Sequence, residues 1–188
     1  MNQLELKKVD TSAELAEIYK FRARVWNSSE GIAVNAFPTG EWRDKHDSMA
    51  LHWIVTNERD QMVGAARLSL HERIEDVVEP EQYLRYGVEC DGLIAAPDRV
   101  VVCPSARRQG IAQRLLDAQD KASIDAGAAC ALRQASPAMC RLVAKRDWYL
   151  LGPASIDSRF PNIVFTVALR AFLSSKVRFQ ARSQEAAA

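Results

Sequence analysis

Apolar and polar positions change period several times along the chain, and each change predicts an element. "LELKKV" alternates weakly and predicts a first strand. "DTSAELAEIYKFRARVW" follows, with Asp10, Thr11 or Ser12 able to cap a helix and Leu15, Ile18, Tyr19 and Arg22 to Trp26 at helical spacing. "NSSEGIAVNAFPTGEWRDKHDS" is rich in Gly, Asn, Ser and Pro and reads as a long loop at 27–48, with a short helix at Glu41 to His46. "ALHWIVTNERDQMVGAARLSL" places two apolar runs around "NERD", a hairpin signal. "HERIEDVVEPEQYLRYG" is charged, with partial helix character, and "GLIAAPDRVVVC" is the next strand. A helix is expected from Arg108 to about Ala126, with Ile111, Leu115, Ala118 and Ala122 on one stripe and Gly127 as its stop. "AACAL" predicts a short buried strand. "SPAMCRLVAKRDW" predicts a helix, with a Ser cap and Pro in the first turn. "WYLLGP" and "NIVFTVALRAF" are the last strands, and 174–188 lacks a core pattern and is expected to fray. The order β, α, loop, hairpin, β, α, β, α, β describes a mixed α/β domain over 1–173, with antiparallel and parallel strands.

Composition narrows the class. The chain has 188 residues, 48% hydrophobic and 26% charged, which suits one ordinary domain with a real core. Lys and Arg number 25 against 24 Asp and Glu, so the net charge of +1 carries no polyanion signal and no nucleic-acid partner is expected. The tail cations Lys176, Arg178 and Arg182 are few and flanked by polar residues. The four cysteines, Cys90, Cys103, Cys130 and Cys140, show no CxxC spacing and the histidines number only three. No metal is expected, and reduced thiols in a cytoplasmic protein are the plainer reading. "MNQLELKKVD" has no apolar core of a signal peptide, and no apolar run is long enough for a bilayer, so no membrane partner is expected.

The segment "CPSARRQGIAQ" carries the clearest chemistry. Pro104 ends strand pairing, since it has no N–H. Gly110 allows a bulky group close to the backbone. The unpaired N–H groups of the following helix's first turn form an anion site, and Arg107 and Arg108 add charge that matches phosphate oxygens. A plain strand-to-helix turn with solvated arginines is the alternative.

The segment "RRQGIA" at 107–112 matches [Q/R]-x-x-G-x-[G/A] of the GNAT superfamily of N-acyltransferases, and "RVVVCPSAR" is similar to that family's approach strand R-[L/V]-x-V-x-P-x-x-R. The amphipathic "IAQRLLDAQDKA", a short strand near Leu132 and a later helix running into Trp148 follow in the family's order, so the resemblance covers about residues 2–173. It implies the GNAT fold: a mixed sheet of roughly six to seven strands flanked by about four helices, splayed at the acyl-CoA site. It also implies acetyl-CoA, or another acyl-CoA, as co-substrate. The amides of Arg107, Arg108, Gln109, Gly110, Ile111 and Ala112 would hold its pyrophosphate, and Val100, Val101 and Val102 would pair with its pantetheine. The Val102 N–H would polarise the thioester carbonyl during direct acyl transfer to an amine. The acceptor amine and the choice between monomer and homodimer stay open.

The chain departs from the family at the acid. In the family's Y-x-x-x-G-F pattern, Val143 stands for the tyrosine, Asp147 for the glycine and Trp148 for the aromatic. Valine donates no proton, and Tyr149 fits only a shifted alignment. A catalytically degenerate acyl-CoA-binding module is therefore an alternative. For the base, His52 reads as a packed sheet histidine before a catalyst. His71 and Glu72 read as solvated loop before cleft lining, and Cys103 as a small buried residue before a nucleophile. Trp26, Phe37 and Trp42 anchor the long loop or line an acceptor pocket.

The N-terminal half also resembles acyl-homoserine-lactone synthases, which share the core fold and use an acylated carrier protein and S-adenosylmethionine. The likeness rests on "FRARVW", then "RDKHD", then "VGAARL". It would give Asp44 and Asp47 contact with the amine, against a solvated charged turn as the alternative. A copy of that family's E-x-S-R-F segment is not found, and "DSRF" at 157–160 comes too late in the chain.

Overall fold

In the computed structural model, which describes residues 4–29 and 32–180, the first strand β1 is Glu5–Lys8. Helix α1, Ser12–Asn27, is closed at its start by Thr11. The Thr11 hydroxyl accepts the Glu14 N–H at 3.2 Å and donates to the Glu14 carboxylate at 2.7 Å. This satisfies a donor that a helix start otherwise leaves open. Ile18, Phe21, Arg22 and Val25 are buried, at the spacing of one face. An arginine in the middle of that face marks a buried polar site.

The hairpin forms as expected. β2, Leu51–Thr56, pairs antiparallel with β3, Met62–His71, from Leu51↔Leu68 to Thr56↔Met62. Asn57 sets the turn: its side-chain oxygen accepts the N–H groups of Arg59 and Gln61, each at 3.0 Å. Both faces of β2 are covered from His52 to Thr56, so its alternating side chains enter two buried layers. The helix expected at Glu41 to His46 is absent; a single 3-10 turn, Asp47–Met49, follows instead. Asp44 and Asp47 bond to backbone N–H groups and to arginines there, which competes with a helix.

After a 3-10 turn at Ile74–Asp76 come a one-turn helix α2 (Glu81–Leu84), a short strand β4 (Glu89–Cys90) and the long strand β5 (Ile94–Val102). Helix α3 is Ile111–Asp125, starting three residues later than expected. β6 (Cys130–Ala135), α4 (Pro137–Val143), β7 (Tyr149–Pro153) and β8 (Thr166–Ala171) complete the main elements. The Ser136 hydroxyl caps α4 by accepting the Met139 N–H, with Pro137 in the first turn. The seven-stranded sheet has the order β1-β2-β3-β5-β6-β8-β7. β5 and β6 are its parallel pair, in register at Ile94↔Cys130 and Ala95↔Ala131. Ser174–Arg178 was expected to fray, but the structure orders it as a 3-10 turn and a strand, β9 (Val177–Arg178), paired with β4. Val177 is buried there, and a two-residue strand offers no period to read. The rest of the expected tail, 181–188 with Arg182, lies outside the described residues.

The packing forms two compact units. One holds β1, α1, β2, β3 through Ser69, β5 from Pro97 and α3, with 157–162. The other holds α2, β4, the start of β5, β6, α4, β7, β8 and β9. Its core includes Tyr83, Ile94, Leu132, Leu151, Val167 and Leu169. In the first unit α3 lies tightly over β3 at Gly64. A Cβ on Gly64 would come within 2.6 Å of Ile111 Cγ2 and 3.2 Å of Leu115 Cδ1, and both side chains are buried. Gly64→Ala is therefore expected to cost roughly 1–3 kcal/mol by overpacking. Urea unfolding checks this; an unchanged midpoint would mean that α3 can lift away freely.

Candidate functional site

The segment 100–112 runs from β5 into α3, within the first unit. Val101 is buried, and Val100 and Val102 are half-buried. The Cys103 N–H bonds to the Val63 carbonyl at 2.9 Å, holding the strand end against β3. A 3-10 turn, Pro104–Ala106, then leads to Arg107, Arg108 and Gln109, all exposed. Arg108 and Gly110 adopt left-handed backbone, with φ 66 and 76. Gly110 precedes α3, and no side chain caps that helix, unlike α1 and α4. A helix leaves the N–H groups of its first turn without intrahelical acceptors, and the cap position of α3 offers them no side chain. A Cβ at Gly110 would meet only Gln113 Oε1, at 4.0 Å, so the space before the helix is open. Exposed arginines, an uncapped helix start and open space fit an anionic group such as a diphosphate.

A second constellation in the same unit joins α1, the 41–49 segment, β3 and β5. Arg67, whose side chain is wholly buried, grips the Asp98 carboxylate through Nε at 2.8 Å and Nη2 at 2.5 Å. Its Nη1 lies 2.6 Å from Asp44 and 3.1 Å from Asp47. Arg22 bonds Asp47 at 2.7 Å, and Arg99 bonds Asp44 at 2.5 Å. Neighbouring residues of a strand point to opposite faces, yet Asp98 and Arg99 both join this network. The left-handed Arg99, φ 54, breaks the alternation and makes that possible. Its guanidinium lies over Trp42, 3.9 Å from the ring centroid. From α3, Gln119 donates to the backbone carbonyls of Arg67 and Asp98 and ties the two strands together.

The charges set one another. Burial alone would raise Asp44 and Asp47, but the adjacent arginines outweigh it and hold both carboxyls below their ordinary range. Burial lowers Arg99 to about 10. Such carboxylates stay ionised and are weak bases at neutral pH. The solvated-turn alternative for Asp44 and Asp47 does not hold: Asp47 is 2% exposed.

His52 belongs to the same network, packed in the sheet as first read. Arg22 can only donate, so the Nδ1 atom accepts from it at 3.0 Å, and Nε2–H donates to the Asp47 carbonyl at 2.8 Å. Burial, helped by the Arg22 charge, pushes its pKa below the ordinary 6.5. A histidine with a depressed folded pKa gives its full stabilisation above the unfolded pKa, and that is lost as pH falls below it. The thermal midpoint is expected to drop between about pH 7 and pH 5, and His52→Gln to flatten the drop. An equally steep profile in the variant would assign the slope elsewhere.

The other candidates disperse. Trp26, Phe37 and Trp42 pack on one another and on Phe160, with ring centroids 4.9–6.2 Å apart. Phe37, Trp42 and Phe160 are buried, so the rings anchor the long loop. In "DSRF", Arg159 forks onto Asp157, and Phe160 is the ring just named. Cys103 is half-buried, with its sulfur 3.3 Å from the Ser105 hydroxyl. In the second unit, His71 closes β3 and Glu72 is exposed beside it. Val143 is fully buried at the end of α4, and Asp147, aligned with a glycine, has φ 58. Tyr149 is 53% exposed and stacks on Phe179 at 5.0 Å. Among the described residues no group of His, Cys, Asp or Glu could hold a metal ion, and no helix is long and apolar enough to cross a membrane. Arg22, Arg67 and Arg99 enter the sequence reading only within the α1 helix spacing and as letters of "FRARVW", "VGAARL" and "RVVVCPSAR", with no role in a site, and Asp98 has none either. Their signal was a charge inside an apolar run, as in "GAARLSL" and "AAPDRVVV".

The acetyltransferase (GNAT) family matches residues 14–147. No curated protein matches the chain. Solved structures of the same fold include FeeM, an N-acyl amino acid synthase from uncultured soil microbes, at TM-score 0.67 and 9% identity over 94% of this chain and 96% of that one. The mosquito arylalkylamine N-acetyltransferase like 5b aligns at 0.63 and 13% identity over 90% and 100%. The AHL synthase LasI aligns at 0.64 and 14% identity over 91% and 89%.

Proposed function

Because the chain belongs to the acetyltransferase (GNAT) family, we propose that it moves an acetyl or other acyl group from acyl-CoA to a primary amine of a small molecule or peptide by direct transfer. One observation carries the proposal: α3 begins without a side-chain cap behind the left-handed Gly110, facing open space. The amides of Arg107 to Ala112 would hold the diphosphate, with the side chains of Arg107 and Arg108 adding charge. Val100 to Val102 would run beside the pantetheine. The Cys103 N–H faces β3, and successive amides of a strand point oppositely. The Val102 N–H therefore faces the other edge, where it can donate to a carbonyl and stabilise developing charge. Acyl-CoA supplies the activated thioester when bound.

The second reading is an acyltransferase similar to acyl-homoserine-lactone synthases, and the ion-pair network favours it. Of the two aspartates in that resemblance, Asp47 is 2% exposed and engaged by Arg22 and Arg67, which leaves it no room for an amine. Asp44, with Asp98 beside it, keeps a side chain 25% exposed at the rim of the network, where a carboxylate can hold a substrate ammonium. A calorimetric titration with CoA, acetyl-CoA and a long-chain acyl-CoA tests both. Binding of acetyl-CoA and CoA, followed by thiol release with an amine panel, supports the first reading. Affinity gained only with the long chain supports the second. A folded protein that binds none of the three overturns the donor site.

A further inference from the structure

Two cysteines of the second unit stand face to face. Cys90 in β4 and Cys130 in β6 have sulfurs 3.2 Å apart, and both are free thiols. Neither sits on a loose loop. β4 is held by Cys90↔Val177, and the next residue, Asp91, donates its N–H to the Lys176 carbonyl at 2.8 Å. β6 is held on both sides, by Ile94↔Cys130 and Cys130↔Ala171. The backbone therefore fixes the approach of the two sulfurs. Cys130 is 0% exposed and Cys90 is half-buried, so a reagent reaches Cys90 first. The remaining thiols have other neighbours: Cys103 has the Ser105 hydroxyl, and Cys140 the Ala135 carbonyl at 3.6 Å.

We propose that Cys90 and Cys130 form a dithiol site that a hydroperoxide oxidises to an intramolecular disulfide, with Cys90 attacking and Cys130 resolving. The roles follow from exposure and from charge. The Cys90 thiol is lowered, chiefly by the hydrogen bond from Cys130, with the Lys176 charge helping against burial and Asp91. Cys130 is raised by donating that bond and by burial. Attack of the Cys90 thiolate breaks the O–O bond, giving Cys90 sulfenic acid, and the leaving oxygen takes a proton to become water. The Cys130 sulfur then displaces the sulfenic hydroxyl, which leaves as a second water with the Cys130 proton. Two thiols and one hydrogen peroxide give one disulfide and two waters, and the electrons lost by sulfur reduce the peroxide. The bond would join β4, and with it the 71–92 segment, to β6. The site stands whether or not the acyltransferase reading does.

The reduced full-length protein is treated with hydrogen peroxide, alkylated under denaturing conditions and digested without reduction for mass mapping. A Cys90–Cys130 linked peptide that dithiothreitol cleaves is expected, with Cys103 and Cys140 carrying the alkyl label. In Cys130→Ala, where a small apolar residue suits the buried position, dimedone is expected to trap a sulfenic acid at Cys90. The proposal is overturned if Cys90 and Cys130 are alkylated after peroxide as fully as before it. Pairing of either one with Cys103 or Cys140 also overturns it. The mapping is done on the unaltered protein, so a variant that fails to fold does not decide the result.

Discussion

Arg67→Ala is expected to cost roughly 3–5 kcal/mol, the range for breaking a buried ion pair by removing one partner. Arg67 answers three carboxylates, those of Asp44, Asp47 and Asp98, while its own side chain is 0% exposed. In the intact network three arginines, 22, 67 and 99, face those three aspartates. Removal leaves two cations against three anions, because Arg22 and Arg99 are already engaged. Water cannot replace the donor lost to Asp47, which is 2% exposed. Arg67→Lys separates charge from shape. It returns one cation but not the fork that meets Asp98 through two nitrogens, so it should recover only part of the loss. Urea unfolding measures both. A loss under about 1 kcal/mol for Arg67→Ala would put the network in the class of surface pairs and remove its role in holding β3, β5 and the 41–49 segment together.

The network also shows where a sequence stops being readable. The hairpin, α1 and α4 were legible because their signals are local: an apolar period, a cap residue three positions before its donor, a turn asparagine. The turn from β5 into α3 was legible for the same reason, since its proline, its glycine and the helix that follows are near neighbours in "CPSARRQGIAQ". Asp44 and Asp47 were visible only as charges near one another. Their partners Arg22, Arg67 and Arg99 lie 20 to 55 positions away, and pairing at that distance is written in tertiary structure. The same pairing removed the helix expected at Glu41 to His46. The Cys90–Cys130 approach was invisible for a like reason: it depends on β9, which no periodicity announces. Sequence local in its physics was readable; charge pairs and thiol pairs brought together across strands were not.

Gly110→Glu is expected to weaken CoA binding by at least about a hundred-fold, with the fold kept, and this outcome rests on the proposed donor site. A hundred-fold loss corresponds to about 2.7 kcal/mol, within what juxtaposed like charges cost at a binding surface. The carboxylate would stand where the diphosphate is to meet the first amides of α3. The fold should survive, because a Cβ at Gly110 meets nothing nearer than Gln113 Oε1 at 4.0 Å. The backbone is not neutral to the change, however. With φ 76, any side chain there is strained by roughly 1–2 kcal/mol. Gly110→Ala carries that strain without the charge and is the control, expected to lose stability and much less affinity. Calorimetry with CoA, repeated at low and high salt, reads the difference. The Glu variant's deficit should shrink as salt screens the repulsion, while the Ala variant's should not change. If the folded Glu variant binds CoA as the unaltered protein does, the diphosphate lies elsewhere and the uncapped start of α3 is only a turn.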